Sequence, residues 1–223
     1  MTHAHVSGAS ASRPSRLPFR RWQILAALAA LVAAAYGAHA IPPVSRIIMR
    51  HEVGSFLTDA PVVLLGDSIA YANGPSRLCG EEVFNAAVPG ARLENLLGQG
   101  ARITERIHAT RAVVAIGVND AIRPHADIEE WTTQYRRLLD RITAPDITLV
   151  EINPVDPRFP VAAQLFDRDF IARQNAVIRA LATESGARLV SAPLSAQTAD
   201  GLHPNEDGGI LWRARLAREA CDI

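Results

Sequence analysis

Apolar positions along this chain follow two rhythms, and their alternation sets the expected architecture. Short apolar runs rich in β-branched residues occupy 61–66, 112–117 and 147–152, and weaker strand-like patterns occupy 82–87 and 188–191. Runs of this length and composition read as buried strands. Between them the apolar residues adopt helical spacing. Leu93, Leu96, Leu97, Ile103 and Ile107 mark a helix over 92–108, weakened or kinked by Gly98 and Gly100. Asp127 caps a second helix reaching about 142, with Trp131, Tyr135, Leu138, Leu139 and Ile142 as its apolar face. A third spans about 163–185 and ends at Gly186, and a last one opens at Glu206 or Asp207 and runs to about Cys221. The breaker cluster Asn73-Gly74-Pro75 limits 69–78 to a short helix or loop, and the proline-rich stretch 153–160 is too irregular to form an element. Five strands joined by helices predict a three-layer α/β sandwich around a mostly parallel five-stranded sheet.

The N-terminal part follows a different pattern. Residues 1–21 are rich in Ser, Ala and Pro and carry Arg13, Arg16, Arg20 and Arg21 but no acid, which predicts a basic disordered arm. Residues 22–40 are apolar apart from Gln23 and His39, which predicts an N-terminal apolar helix of roughly the 20 residues a membrane span needs. Arginines before the segment and none inside it place the N-terminus in the cytoplasm and the rest of the chain outside. Ala38-His39-Ala40 fits a small-x-small cleavage site. The segment is therefore either a retained membrane anchor or a signal that is removed, leaving a periplasmic or secreted protein. Residues 41–59 read as a linker, with Pro42-Pro43 preventing continuation of the helix, and 60–223 as the folded domain.

Composition narrows the function classes. Basic and acidic residues balance at 23 each, so no basic field favours nucleic acid. Every one of the 23 basic residues is arginine, which excludes lysine-based chemistry. Cys79 and Cys221 form no Cys-x-x-Cys pair, so zinc or thioredoxin-like chemistry has no support. In an exported domain the two could instead form a disulfide between the C-terminal helix and the loop after the first helix.

Candidate chemistry lies where strands end. Gly66-Asp67-Ser68 follows the first strand, Val88-Pro89-Gly90 the second and Gly117-Val118-Asn119-Asp120 the third, while Asp200-Gly201-Leu202-His203 precedes the last helix. In a doubly wound sheet these blocks share one edge. A serine hydroxyl needs a base to become a nucleophile, and imidazole titrates near neutral pH. Asp200, three residues before His203, can fold back onto Nδ1 while Nε2 faces Ser68. The Ser68 and Gly90 N–H groups and the Asn119 amide could hold an oxyanion. Losing one such donor costs about 2.7–4 kcal/mol of transition-state stabilisation. Taken singly, each residue has a plainer reading: Ser68 as a helix cap, Gly90 as a turn glycine, Asn119 as a loop residue, Asp200 and His203 as a solvated turn. Their joint placement favours chemistry. Among the other histidines only His125, just after the Asn119 loop, competes as a base.

The four blocks together resemble the SGNH hydrolases, also called GDSL-type esterases and lipases, over about 60–221. The family name spells the Ser, Gly, Asn and His present here as Ser68, Gly90, Asn119 and His203. Ile69 stands in place of the usual leucine, Ala87 where the family often has glycine, and Pro89 precedes Gly90. The resemblance implies a flavodoxin-like fold and a serine esterase that needs no metal or organic cofactor. Its substrate would be a small-molecule or envelope-polymer acyl ester with a small acyl group. An O-acyltransferase acting on envelope sugars would use the same residues, and a non-catalytic binding module is the remaining alternative. The α/β-hydrolase elbow Gly-x-Ser-x-Gly is not met, since Ala70 occupies its last position and no strands precede residue 60.

Overall fold

The computed structural model describes residues 23–24, 42–193 and 197–221. The expected basic arm and almost all of the apolar segment 22–40 lie outside the described residues. Among those described, no helix is long and apolar enough to cross a membrane. Val44–Ile223 forms a compact unit that holds the sheet.

Its strands are β1 (Val62–Gly66), β2 (Arg77–Leu78), β3 (Glu81–Asn85), β4 (Arg111–Ala115), β5 (Asp146–Val150) and β6 (Arg188–Val190). They lie in the order β2-β3-β1-β4-β5-β6, and every neighbouring pair is parallel except β2–β3. The sheet thus has six strands, not five. The additional β2 is a two-residue edge strand, too short to leave a periodic pattern. It turns back through Cys79 and Gly80, both at positive φ (53° and 82°).

The helices are α1 (Pro43–Gly54), α2 (Ser68–Asn73), α3 (Leu93–Ile107), α4 (Ile128–Leu139), α5 (Pro160–Leu165), α6 (Arg168–Ser185) and α7 (Glu206–Ala220). Packing runs from α3 to α4 to α6 in one group, while α2 meets α7 in another. The groups cover opposite faces of the sheet. Gly100 of α3 lies against Leu65, whereas Gly74, just past α2, lies against Leu64, and adjacent strand residues point to opposite sides. Both faces are therefore dry, and all five residues of β1 are buried. Gly98 and Gly100 do not interrupt α3; at Gly100 the missing side chain makes room for Leu65.

Two further expectations are corrected. Within the stretch read as a linker, residues 43–54 are helical, and Pro43 opens α1 where its missing N–H costs nothing. Ile47 and Ile48 pack on the core, His51 is buried, and Glu52 accepts hydrogen bonds from Arg102 and Arg106 of α3, each at 2.9 Å. The single helix expected over 163–185 is two, α5 and α6. Asp167 Oδ1 accepts the N–H groups of Asp169 and Phe170, so it caps a new helix instead of continuing the old one. Helix α7 opens at Glu206, as expected, and Asn205 caps it, its side chain accepting the Gly208 N–H at 2.9 Å. Cys79 and Cys221 are disulfide-bonded, joining the β2–β3 turn to the end of α7.

Candidate active site

The parallel strands β3-β1-β4-β5-β6 follow the doubly wound order in which the chain reverses its winding direction between β1 and β4. The loops leaving those two strands diverge there and open a crevice. Gly66 brings the two ends unusually close: a Cβ at this position would sit 2.5 Å from the Ala115 carbonyl oxygen. Beyond Gly66 the chain starts α2. Asp67 is the cap of that helix, its Oδ1 accepting the Ile69 N–H at 2.9 Å. With Asp67 capping, the Ser68 hydroxyl is free of that duty. Burial pushes the Asp67 carboxyl up to about 7, against the pull of the Ile69 N–H and with a further push from Asp120.

The Ser68 hydroxyl meets His203, with Oγ 3.0 Å from Nε2. On the other side of the ring, Nδ1 lies 2.7 Å from Asp200 Oδ2. The remaining oxygen, Oδ1, accepts the N–H groups of Leu202 (2.9 Å) and His203 (2.8 Å). These bonds orient the carboxylate toward Nδ1. Partial burial pushes Asp200 upward, but the hydrogen bonds from the His203 ring and from the two N–H groups outweigh it. The carboxyl is held below its ordinary value.

Candidate anion donors converge from two other loops. Gly90 has φ of +77°, a conformation that favours glycine. Asn119 follows β4 in a short 3-10 turn (Val118–Ala121), and its Nδ2 donates one hydrogen to the Ala91 carbonyl at 2.9 Å, leaving the other. The neighbouring Asp120 carboxylate accepts the Leu93 N–H at 3.1 Å. Together Asn119 and Asp120 clasp the loop that carries Gly90. Burial raises Asp120 to about 6, opposed by the Leu93 N–H. Gln174 on α6, itself buried, donates from Nε2 to the Gly117 carbonyl at 2.9 Å and fixes the start of the turn. Neither Asp120 nor Gln174 stood out in the sequence as part of this arrangement. Asp120 lies in the same block as Asn119, but a buried glutamine on a distant helix leaves no local signal.

Ser68, Gly90, Asn119, Asp200 and His203 line one groove of about 700 Å³. Phe159, Pro160, Val161, Leu165, Phe166 and Leu202 give it an apolar wall. The helix that carries most of this wall starts at Pro160, inside the stretch expected to be irregular; Phe159-Pro160 is the local signal for it, because proline favours the first position of a helix. The structure does not bring His125 to Ser68. Its ring stacks on Phe170 with centroids 4.0 Å apart, and its Nε2 lies 3.1 Å from Asp167 Oδ2. The hydrogen bond from His125 holds the Asp167 carboxyl down at about 2. Among the described residues no group of three or more His, Cys, Asp or Glu side chains is placed to hold a metal ion.

The model of the GDSL-like lipase/acylhydrolase family matches residues 64–209. No curated protein matches the chain. Solved structures share the fold. A protein from Streptococcus pneumonia gives a TM-score of 0.68 at 17% identity, over 86% of this chain and 99% of that one. A GDSL-like lipase from Bacteroides thetaiotaomicron gives 0.62 at 17% identity, over 78% and 96%. A variant of an acetyl xylan esterase from Geobacillus stearothermophilus gives 0.58 at 17% identity, over 72% and 94%.

Proposed function

The chain belongs to the GDSL-like lipase/acylhydrolase family, and on that premise we propose that it is an exported serine esterase working through an acyl-Ser68 intermediate. One observation carries the reading: the continuous relay from Asp200 Oδ2 through the His203 ring to Ser68 Oγ, at 2.7 and 3.0 Å, in a groove shared with Gly90 and Asn119. In this mechanism His203 Nε2 takes the hydroxyl proton as Oγ attacks the ester carbonyl, and Asp200 stabilises the resulting imidazolium. The Ser68 and Gly90 N–H groups and the second Asn119 amide hydrogen receive the oxyanion. Collapse expels the alcohol, protonated by His203. Water activated by the same base then releases the acid and restores Ser68.

The apolar groove wall supports extending the expected small acyl group to chains of several carbons. The disulfide supports export, because such bonds persist in oxidising compartments. Residues 22–40 would serve as anchor or signal. An acyltransferase would use the same residues and is separated from a hydrolase by product analysis with an added sugar acceptor.

The test is hydrolysis of p-nitrophenyl acetate by the full chain and by Ser68→Ala. The variant is expected to fold and to lose at least about a thousandfold in kcat, the scale seen when a unit of this kind loses one member. Equal rates in the two proteins would sink the proposal.

A further inference from the structure

A second groove, of about 410 Å³, adjoins the first and shares Gly90 with it. The loop 88–91 forms one side. Helix α1 contributes Val44 and Ile48, and α3 contributes Glu94, Asn95, Gln99 and Arg102. Its distinctive member is Gln99. The residue is only 7% exposed, yet its Nε2 has no hydrogen-bond partner. A buried donor without a partner is rare in folded proteins, and it marks a place where an acceptor from a ligand is favoured. Asn95 adds a second amide. Its Oδ1 accepts the Arg92 N–H at 2.7 Å, which leaves its nitrogen to donate.

The lining selects a chemical class. An alkyl chain would leave the Gln99 amide unsatisfied. Arg102 is already paired with Glu52 at 2.9 Å, so an anionic group would meet the Glu94 carboxylate, and a cationic one would leave the Gln99 donor without an acceptor. A neutral ring with apolar C–H faces and hydroxyl edges suits both the aliphatic side chains of α1 and the amides of α3. Pyranose sugars have that character. The position gives the ring its part in the reaction. An ester whose oxyanion is held at Gly90 has two arms, and the groove walled by α5 offers the apolar surface suited to the acyl arm. The groove between α1 and α3 remains for the alcohol arm.

We propose that this second groove is the subsite for the alcohol portion of the substrate, and that the alcohol is a neutral sugar whose hydroxyl accepts a hydrogen bond from Gln99 Nε2. The inference rests on the serine-esterase reading. By reversibility the same subsite would seat a sugar acceptor in acyl transfer.

The test compares two acetyl esters on the full chain, ethyl acetate and a mono-O-acetylated methyl hexopyranoside, with acetate release followed by titration. The wild-type protein is expected to prefer the pyranoside in kcat/KM. The variant Gln99→Met, which keeps the length of the side chain without its donor, is expected to lower that preference at least tenfold. Asn95→Ala, at an exposed position, is expected to lower it severalfold and serves if Gln99→Met does not fold. A parallel loss on both esters would assign Gln99 a structural role and overturn the subsite. So would hydrolysis of ethyl acetate without preference for the pyranoside, while leaving the esterase reading intact. Hydrolysis of neither ester by the wild-type protein would overturn both.

Discussion

Asp67 sits next to Ser68, but its work is in the backbone: buried beneath the start of α2, it holds the Ile69 N–H. Its carboxyl is raised by burial from 3.8 to about 7. Over the window between those values the folded state keeps a proton that the unfolded chain has released. Folding therefore binds more protons than unfolding, and Asp67 subtracts stability as the pH rises through the window. Asp120, raised by burial to about 6, acts in the same sense over a narrower range. In Asp67→Asn the amide oxygen can still accept from Ile69, and the proton linkage is gone. Urea unfolding at about pH 5 and pH 8 is expected to give a smaller stability difference in the variant than in the wild-type protein. The change should be on the order of 1–3 kcal/mol. An unchanged difference would mean that Asp67 titrates alike in both states.

At the scale of elements, the break between α5 and α6 decides what the groove can hold. Had Asp167 continued a helix instead of capping one, α5 would not end at Leu165 with Phe166 bridging to Ile122. The apolar wall would then be lost. Leu165 is 43% exposed in the groove, so an acyl chain that covers it gains burial at about 25 cal/mol per Å². Leu165→Ala is expected to lower kcat/KM for p-nitrophenyl hexanoate about fivefold while changing the acetate ester much less. Equal effects on the two esters would show that the acyl chain does not run along α5.

For the molecule as a whole, the Cys79–Cys221 bond ties together residues 142 positions apart. Strands β3 to β6 and helices α3 to α7 lie inside that loop. Closing so long a loop restricts the unfolded chain by an amount worth about 4–5 kcal/mol in the chain-entropy model. For a domain of this size each kcal/mol moves Tm by about 2–4 °C. Cys79→Ser, or the wild-type protein with a reductant, is expected to melt on the order of 10 °C lower by calorimetry. Coincident melting of the oxidised and reduced forms would contradict this.

What the sequence determined by itself was whatever depends on near neighbours. Apolar runs rich in β-branched residues made β1, β4 and β5 legible as buried strands, and Asp127 and Gly186 marked real helix boundaries. The alternation of strand and helix put Ser68, Gly90, Asn119 and His203 in loops that share one groove, because a parallel sheet puts such loops on one edge. Signals without a period stayed hidden: the two residues of β2, and Asp167, whose capping competes with a continuing helix. Pro43 opens α1, a role that a proline's missing N–H permits as readily as it prevents a helix from continuing.

Which polar groups meet depends on the packed fold. Ser68 and His203 are separated by 135 positions, and His125, nearer to Ser68 in sequence, is instead held by Asp167 and Phe170. Gln174 supports the Asn119 turn from a different helix, and the Nε2 of Gln99 lies buried without a partner in the groove that Gly90 also lines. The physical reason is range. Propensity and periodicity act over a few residues, whereas hydrogen bonds among distant side chains form only after the core has packed and fixed the ends of the strands.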